Sequence, residues 1–170
     1  YKSDPDLQLL HRSKPMIAVW DDHEFTNDSW KYGAENHQTE EGFFLSRKAN
    51  AIKAYFEWMP MRENKSKLKI WRKFEVGSLF QLLMIDTRSI YRDRQLNLDD
   101  YFDDDQIDET KYIKDLSIDR KLIGLEQLLW LKNNISNKFK WSILGQQVLI
   151  SNVNLPSIFR KMDKETLPDY

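Results

Sequence analysis

The sequence predicts a mixed α/β fold with helices layered against sheet, and three observations carry that prediction. Element types alternate along the chain in the order strand, helix, two strands, helix, strand. The run "MIAVW" at 16–20 is continuously apolar, as expected of an interior strand covered on both faces. Two longer segments, "FFLSRKANAIKAYFEWMP" and "IGLEQLLWLKNNI", repeat apolar residues at helical spacing.

Each element has a local reason. "DPDLQLLHRS" opens with Asp-Pro, a helix-start pair, and continues with Leu7, Leu9 and Leu10, which predicts a short helix from about Asp6 to Arg12. The strand Met16 to Trp20 follows and runs straight into the charged cluster "DDHEFTND". From Thr26 to Gly42 the chain is polar and loop-like, with Gly33 and Gly42 as breakers. The next helix presents Phe44, Ala51, Ala54, Tyr55 and Trp58 as its core-facing side and stops at Pro60. "KIWRKFEVG" and "SLFQLLMID" read as a hairpin turning at Gly77 and Ser78. Beyond Ile90 lies a charged excursion, then the amphipathic helix, then a returning strand in "FKWSILGQQVLI". Trp58, Trp71, Trp130 and Trp141 all fall on apolar positions and are expected in the core.

Composition narrows the class. A chain of 170 residues with 41% hydrophobic content can bury one real core, and its length favours one domain. Net charge of −1 and a pI near 6.4 give no general attraction to nucleic acid or an anionic membrane. No apolar run has membrane-spanning length, and the opening residues show no basic-then-apolar signal. The absence of cysteine removes disulfides, thiolate metal sites and a cysteine nucleophile from this chain.

The chemistry concentrates at the end of the first predicted strand. Asp21, Asp22, Glu24 and Asp28 gathered around His23 repel one another and resist burial, so a cation, hydrogen bonds or open water must offset them. Unless Arg47 or Arg88 approaches, at least one of these acids is expected to have a raised pKa. Asp-Asp at a strand end also serves as a helix cap or solvated turn, and His23 can be a hydrogen-bonded structural histidine. Arg47 can pair with Glu40 or Glu41 on its helix. Asp86 and Arg88, in "MIDTRS", either meet the first cluster or form an internal ion pair that fixes their loop. His37 reads as a structural residue of its loop. The acidic stretch "LDDYFDDDQIDE" lacks the glycine and ligand spacing of an EF-hand loop and is expected to sit in water.

The motifs "PMIAVWDDHEFTNDSW", "GAENHQTEEGFF", "RKANAIKAYFEWMPMR", "LLMIDTRSIYRDRQ" and "LIGLEQLLWLKNNI" follow one another in an order that resembles the PhoD-like family of alkaline phosphatases, within the metallophosphoesterases. The resemblance covers nearly the whole chain except the acidic stretch near Tyr101 and the last dozen residues. It implies mixed β-sheets flanked by helices, and metal-dependent hydrolysis of phosphate monoesters or diesters, with iron and calcium as the metals. It further implies Asp22 and Asn27 as metal contacts, His23 as the phosphate-facing catalytic residue and Arg47 as a two-pronged phosphate clamp, with Asp21, Asp86 and Arg88 as weaker candidates. An extracytoplasmic or membrane-associated setting for the full-length protein is implied as well.

The family's upstream Gly-Asp motif has no match before Asp4, no paired-His segment follows Leu149, and His11, His23 and His37 are the only histidines. Residues 1–170 therefore read as the central part of a single catalytic domain, holding part of an active site and expected to be inactive in isolation. The alternative is a non-catalytic scaffold or binding module derived from the same fold.

Overall fold

In the computed structural model, residues 3–62, 66, 68–103 and 106–150 are described. Helix α1 spans Pro5–Ser13, one residue longer at each end than expected. The Asp4 carboxylate accepts from Leu7 N at 2.9 Å, satisfying an orphan donor of the first turn, and Pro5 occupies a position where no N–H is needed.

The interior strand expected at Met16 to Trp20 is not formed. The segment is extended, but no described strand pairs with it, and Met16 and Ile17 are exposed. An apolar run favours extended backbone, but only a neighbour's row of N–H and C=O groups makes it a strand. Here side chains take the carbonyls instead. Arg72 Nη2 donates to Ala18 O, and Gln147 Nε2 donates to Trp20 O at 2.7 Å.

Helix α2 spans Phe44–Trp58 and buries Phe44, Lys48, Ile52, Tyr55 and Phe56. The buried stripe is rotated from the expected face: Ala54 is exposed and Trp58 is 65% exposed. Ile52 and Phe56 turn inward in place of Ala54 and Trp58, while Ala51 stays packed against the core. The core forms where this stripe meets the end of the extended segment. The Trp20 ring lies edge-on to Phe25 and Tyr55, each at 5.4 Å, and Ile52, Phe56 and Ile70 close around it. The helix ends as the sequence predicts. Met59, before Pro60, is extended and donates to Tyr55 O at 2.9 Å.

Strands β1 (Arg72–Val76) and β2 (Phe80–Met84) form the expected hairpin, with Gly77 at a φ of 51° in its turn. Beyond β2, the charged excursion is folded rather than merely solvated. A short hairpin, β3 (Phe102–Asp103) with β4 (Gln106–Ile107), leads into helix α3 (Glu109–Leu116). Tyr101 anchors them: it is 4% exposed, its ring meets Tyr112 at 5.1 Å, and its hydroxyl donates to Asp115 Oδ2 at 2.9 Å. Helix α4 (Gly124–Asn134) and strand β5 (Trp141–Gly145) complete the crossover that a parallel β2–β5 pairing requires. The sheet order is β1-β2-β5. Of the tryptophans expected in the core, Trp71 is buried and Trp130 half-buried, whereas Trp141 is 67% exposed on the outer strand and Trp58 is exposed as above.

Lys48 is the unexpected member of the α2 stripe. Its ammonium donates to Lys31 O at 3.1 Å and to Ser89 O, joining the helix to two loops. Burial is the main cause that lowers its pKa from 10.5 to about 8; the nearby Asp86 charge opposes that fall and Lys31 adds to it.

Two outcomes are expected. Trp20→Ala should cost about 3–5 kcal/mol in urea unfolding, whereas Trp58→Ala should change stability by about 0.5 kcal/mol or less. Equal costs would overturn the rotated face of α2. Because the folded chain holds fewer protons at Lys48 than the unfolded chain between about pH 8 and 10.5, stability should rise through that window. The cost is fully present below about pH 8 and amounts to about 3 kcal/mol. Lys48→Met should flatten the rise, measured as the urea midpoint at either end of the window, and an unchanged slope would count against it.

Candidate active site

Two chain ends meet at the site. Gln147 Nε2 donates both to Trp20 O at 2.7 Å and to Ile85 O at 3.2 Å, so the residues following each, 21–28 and 86–92, lie beside one another. The first is a tight turn in which Phe25 N and Thr26 N both donate to Asp22 O at 2.8 Å. Asp28 sits at a φ of 48°, a left-handed conformation that Asp tolerates because its short polar side chain bonds locally.

Asp22 is the centre of that turn. It is 7% exposed, its Oδ1 accepts from His23 N at 3.0 Å, and its Oδ2 accepts from Asp28 N at 2.8 Å. Burial pushes its carboxyl up, but the Asp28 N–H, the Arg88 charge and its own backbone N–H outweigh that, holding the pKa below the usual carboxylate range.

Arg88 is the cation that the acid cluster requires. Its Nε donates to Asp21 Oδ1 at 2.6 Å and its Nη1 to Asp28 Oδ1 at 3.1 Å, while Nη1 lies 3.6 Å from Asp22 Oδ2. Asp22 is lowered rather than raised, and the expected exception applies: an arginine has approached. Asp86, fully buried, takes no part in this cluster. Its carboxylate accepts from the backbone N–H groups of Arg88 and Ser89, each at 2.9 Å, and of Ile90 at 3.1 Å. Asp86 thus shapes the loop that aims Arg88. Gln127 of α4 clamps its backbone in turn, accepting from Asp86 N at 2.7 Å and donating to Asp86 O at 2.8 Å.

His23 stands exposed at the front of the turn. Its Nε2 donates to Asn27 Oδ1 at 3.0 Å, and Asn27 Nδ2 donates to Glu35 Oε2 at 2.7 Å. Asp22, His23 and Asn27 therefore occur together in one turn that follows the apolar run 16–20. Arg47, on α2, binds both the end of this turn and the 26–42 loop. Nε donates to Phe25 O at 3.2 Å, and Nη1 donates to Asn36 O at 3.4 Å, His37 Nδ1 at 3.3 Å and Glu41 Oε1 at 3.0 Å. His37 is structural as expected, donating from Nε2 to Gly42 O at 3.0 Å with its ring against Phe44.

Two site-shaping residues carry no signal in the sequence. Glu35 is eight positions from Asn27 across a polar loop that has no helix or strand period to relate them, and Lys48 looks like any surface lysine beside Arg47. The hydrogen-bonding appetite of an isolated Asn at a turn was the sole hint of a partner for Asn27.

The donors can be tested against a metal. Asp22 and Asn27 supply hard oxygen atoms of the type that calcium or oxidised iron accepts. Yet among the described residues there is no group of three or more His, Asp or Glu placed to hold a metal ion, and both Asp22 oxygens already accept backbone N–H groups. The described residues do not by themselves fit a complete metal centre. Among them, also, no helix is long and apolar enough to cross a membrane.

Comparison with known proteins matches this arrangement to one family. The family model for PhoD-like phosphatases matches residues 1–167. Alkaline phosphatase D of Bacillus subtilis (strain 168) is 36% identical over 159 residues, covering 91% of this chain and 26% of the relative. A solved structure of PhoD superimposes with a TM-score of 0.68 at 32% identity, over 89% of this chain and 28% of that one. The chain thus spans about a quarter of the length of each. A match over nearly all of its residues in both sequence and fold shows that the chain belongs to the PhoD-like phosphatase family.

Proposed function

We propose that the longer protein of which this chain is a part hydrolyses phosphate monoesters or diesters with the aid of metal ions, and that this chain supplies part of the active site. Family membership supports the phosphatase reading. The observation that carries the site assignment is Asp22, which anchors both the exposed His23 and the Arg88 guanidinium on a single carboxylate. Iron and calcium, the metals suggested by resemblance, would supply positive charge to stabilise the phosphoryl oxygens and would activate a water. Asp22 is the ligand this chain would offer, with the remaining lone pair of Asn27 Oδ1 as a second contact.

The chain's own residues do the rest. With Nε2–H tied to Asn27, the His23 ring takes up a proton from solvent at Nδ1 and passes it to the leaving-group oxygen, returning to the neutral ring with its lone pair at Nδ1. Arg88 holds Asp21, Asp22 and Asp28 in one place and offsets part of their mutual repulsion. Asp86 keeps Arg88 aimed. Arg47 holds the loop carrying Glu35, and gripping a phosphate would require it to exchange Glu41 for the ester. The non-catalytic scaffold is the competing reading.

In the full-length protein, Asp22→Asn should lower turnover of p-nitrophenyl phosphate by about 10²-fold or more and weaken metal retention. His23→Asn should lose turnover to a similar extent with the metal content unchanged. Steady-state kinetics with metal analysis decides, and full activity in both variants would sink the assignment. The 170-residue chain alone should hydrolyse neither that ester nor its bis-ester with any divalent metal; robust turnover would show the ligand set to be complete within it. A full-length protein inactive with every ester and metal tried would favour the scaffold.

A further inference from the structure

We infer that Glu35 is a positioning residue that determines which nitrogen of His23 carries the proton, an inference that rests on the role proposed for His23. A carboxylate can only accept hydrogen bonds, so the Asn27 group facing Glu35 Oε2 at 2.7 Å must be the NH2. That orientation turns the Asn27 carbonyl oxygen toward His23, 3.0 Å from Nε2. A carbonyl cannot donate, so Nε2 must hold the hydrogen, and in the neutral ring Nδ1 is left as the open lone pair. The polarity of the whole row is thus set at its far end by the one member that has no choice.

The loop holds Glu35 where this requires. Asn36 O accepts from Thr26 Oγ1 at 2.7 Å and from Arg47 Nη1 at 3.4 Å, while Glu35 O accepts from Gln38 Nε2 at 3.2 Å. On the other side, Trp30 N donates to Gly33 O at 2.8 Å and Lys31 N to Arg92 O at 2.8 Å. Gly33 admits that turn, since a Cβ there would lie 2.6 Å from the Trp30 ring. Arg47 consequently acts on His23 at one remove, by clamping the backbone beside Glu35.

The test reads the tautomer directly. In full-length protein labelled with 15N-histidine, long-range proton–nitrogen correlation spectra, assigned with a His23→Gln control, should show His23 protonated at Nε2. Glu35 is exposed, so its substitutions leave the core untouched. In Glu35→Lys the ammonium must face the amide oxygen, the NH2 turns to His23, and the proton should move toward Nδ1, shifting the tautomer ratio by about fivefold. Turnover should fall by a similar factor at unchanged KM. Glu35→Gln, whose amide oxygen can still accept from Asn27, should restore the native tautomer. A native ring protonated at Nδ1, or a ratio that ignores Glu35→Lys, would overturn the inference. A tautomer that moves while turnover does not would uphold it and remove His23 from the chemistry instead.

Discussion

The guanidinium of Arg88 is the interaction on which the rest of the site depends. Three carboxylates, those of Asp21, Asp22 and Asp28, converge within one turn, an arrangement that mutual repulsion and desolvation would open without a cation. Arg88 meets that need with a planar fork. Its two engaged nitrogens reach opposite flanks of the turn, which a lysine's single point charge would not do. With Arg88 beside it, Asp22 remains ionised and free to organise the backbone of His23 and Asp28.

A buried polar framework places that guanidinium. Asp86 uses its whole carboxylate on three backbone N–H groups of the Arg88 loop, and Gln127 fixes Asp86 in turn. Helix α2 braces the two sides of the site with consecutive residues: Arg47 holds the loop that contains Glu35, and Lys48 holds Lys31 and the Arg88 loop. Burying an ammonium opposes folding, and the lowered pKa of Lys48 expresses that cost. The rigidity gained is that of a loop whose carbonyls have no strand to bond.

Much of the fold is legible in the sequence because its causes are local. Asp4-Pro5 starts a helix, Pro60 stops one, Gly77 turns a hairpin, and each acts through its own backbone within a few residues. The convergence of Asp22, His23 and Asn27 is legible for the same reason, since one tight turn contains all three. The failures share a cause as well. Residues 16–20 have the pattern of a strand but no described neighbour to pair with, and the α2 stripe turned toward Ile52 and Phe56, leaving Trp58 out.

By itself, then, the sequence determined the class of fold, the positions of α1, α2, α4 and the β1–β2 hairpin, and the family, since short-range periodicity and ordered motifs carry that information. Tertiary structure alone decided the partners. Asp21 and Arg88 are 67 residues apart, and Lys48 and Ser89 are 41 apart. Every acid in the chain is equally able to attract an arginine, so the choice among them belongs to the packing that brings Trp20 and Ile85 together under Gln147. The direction of the Asn27 amide was settled in the same way. Its two ends are nearly identical in shape, and only a carboxylate fixed in space can tell them apart.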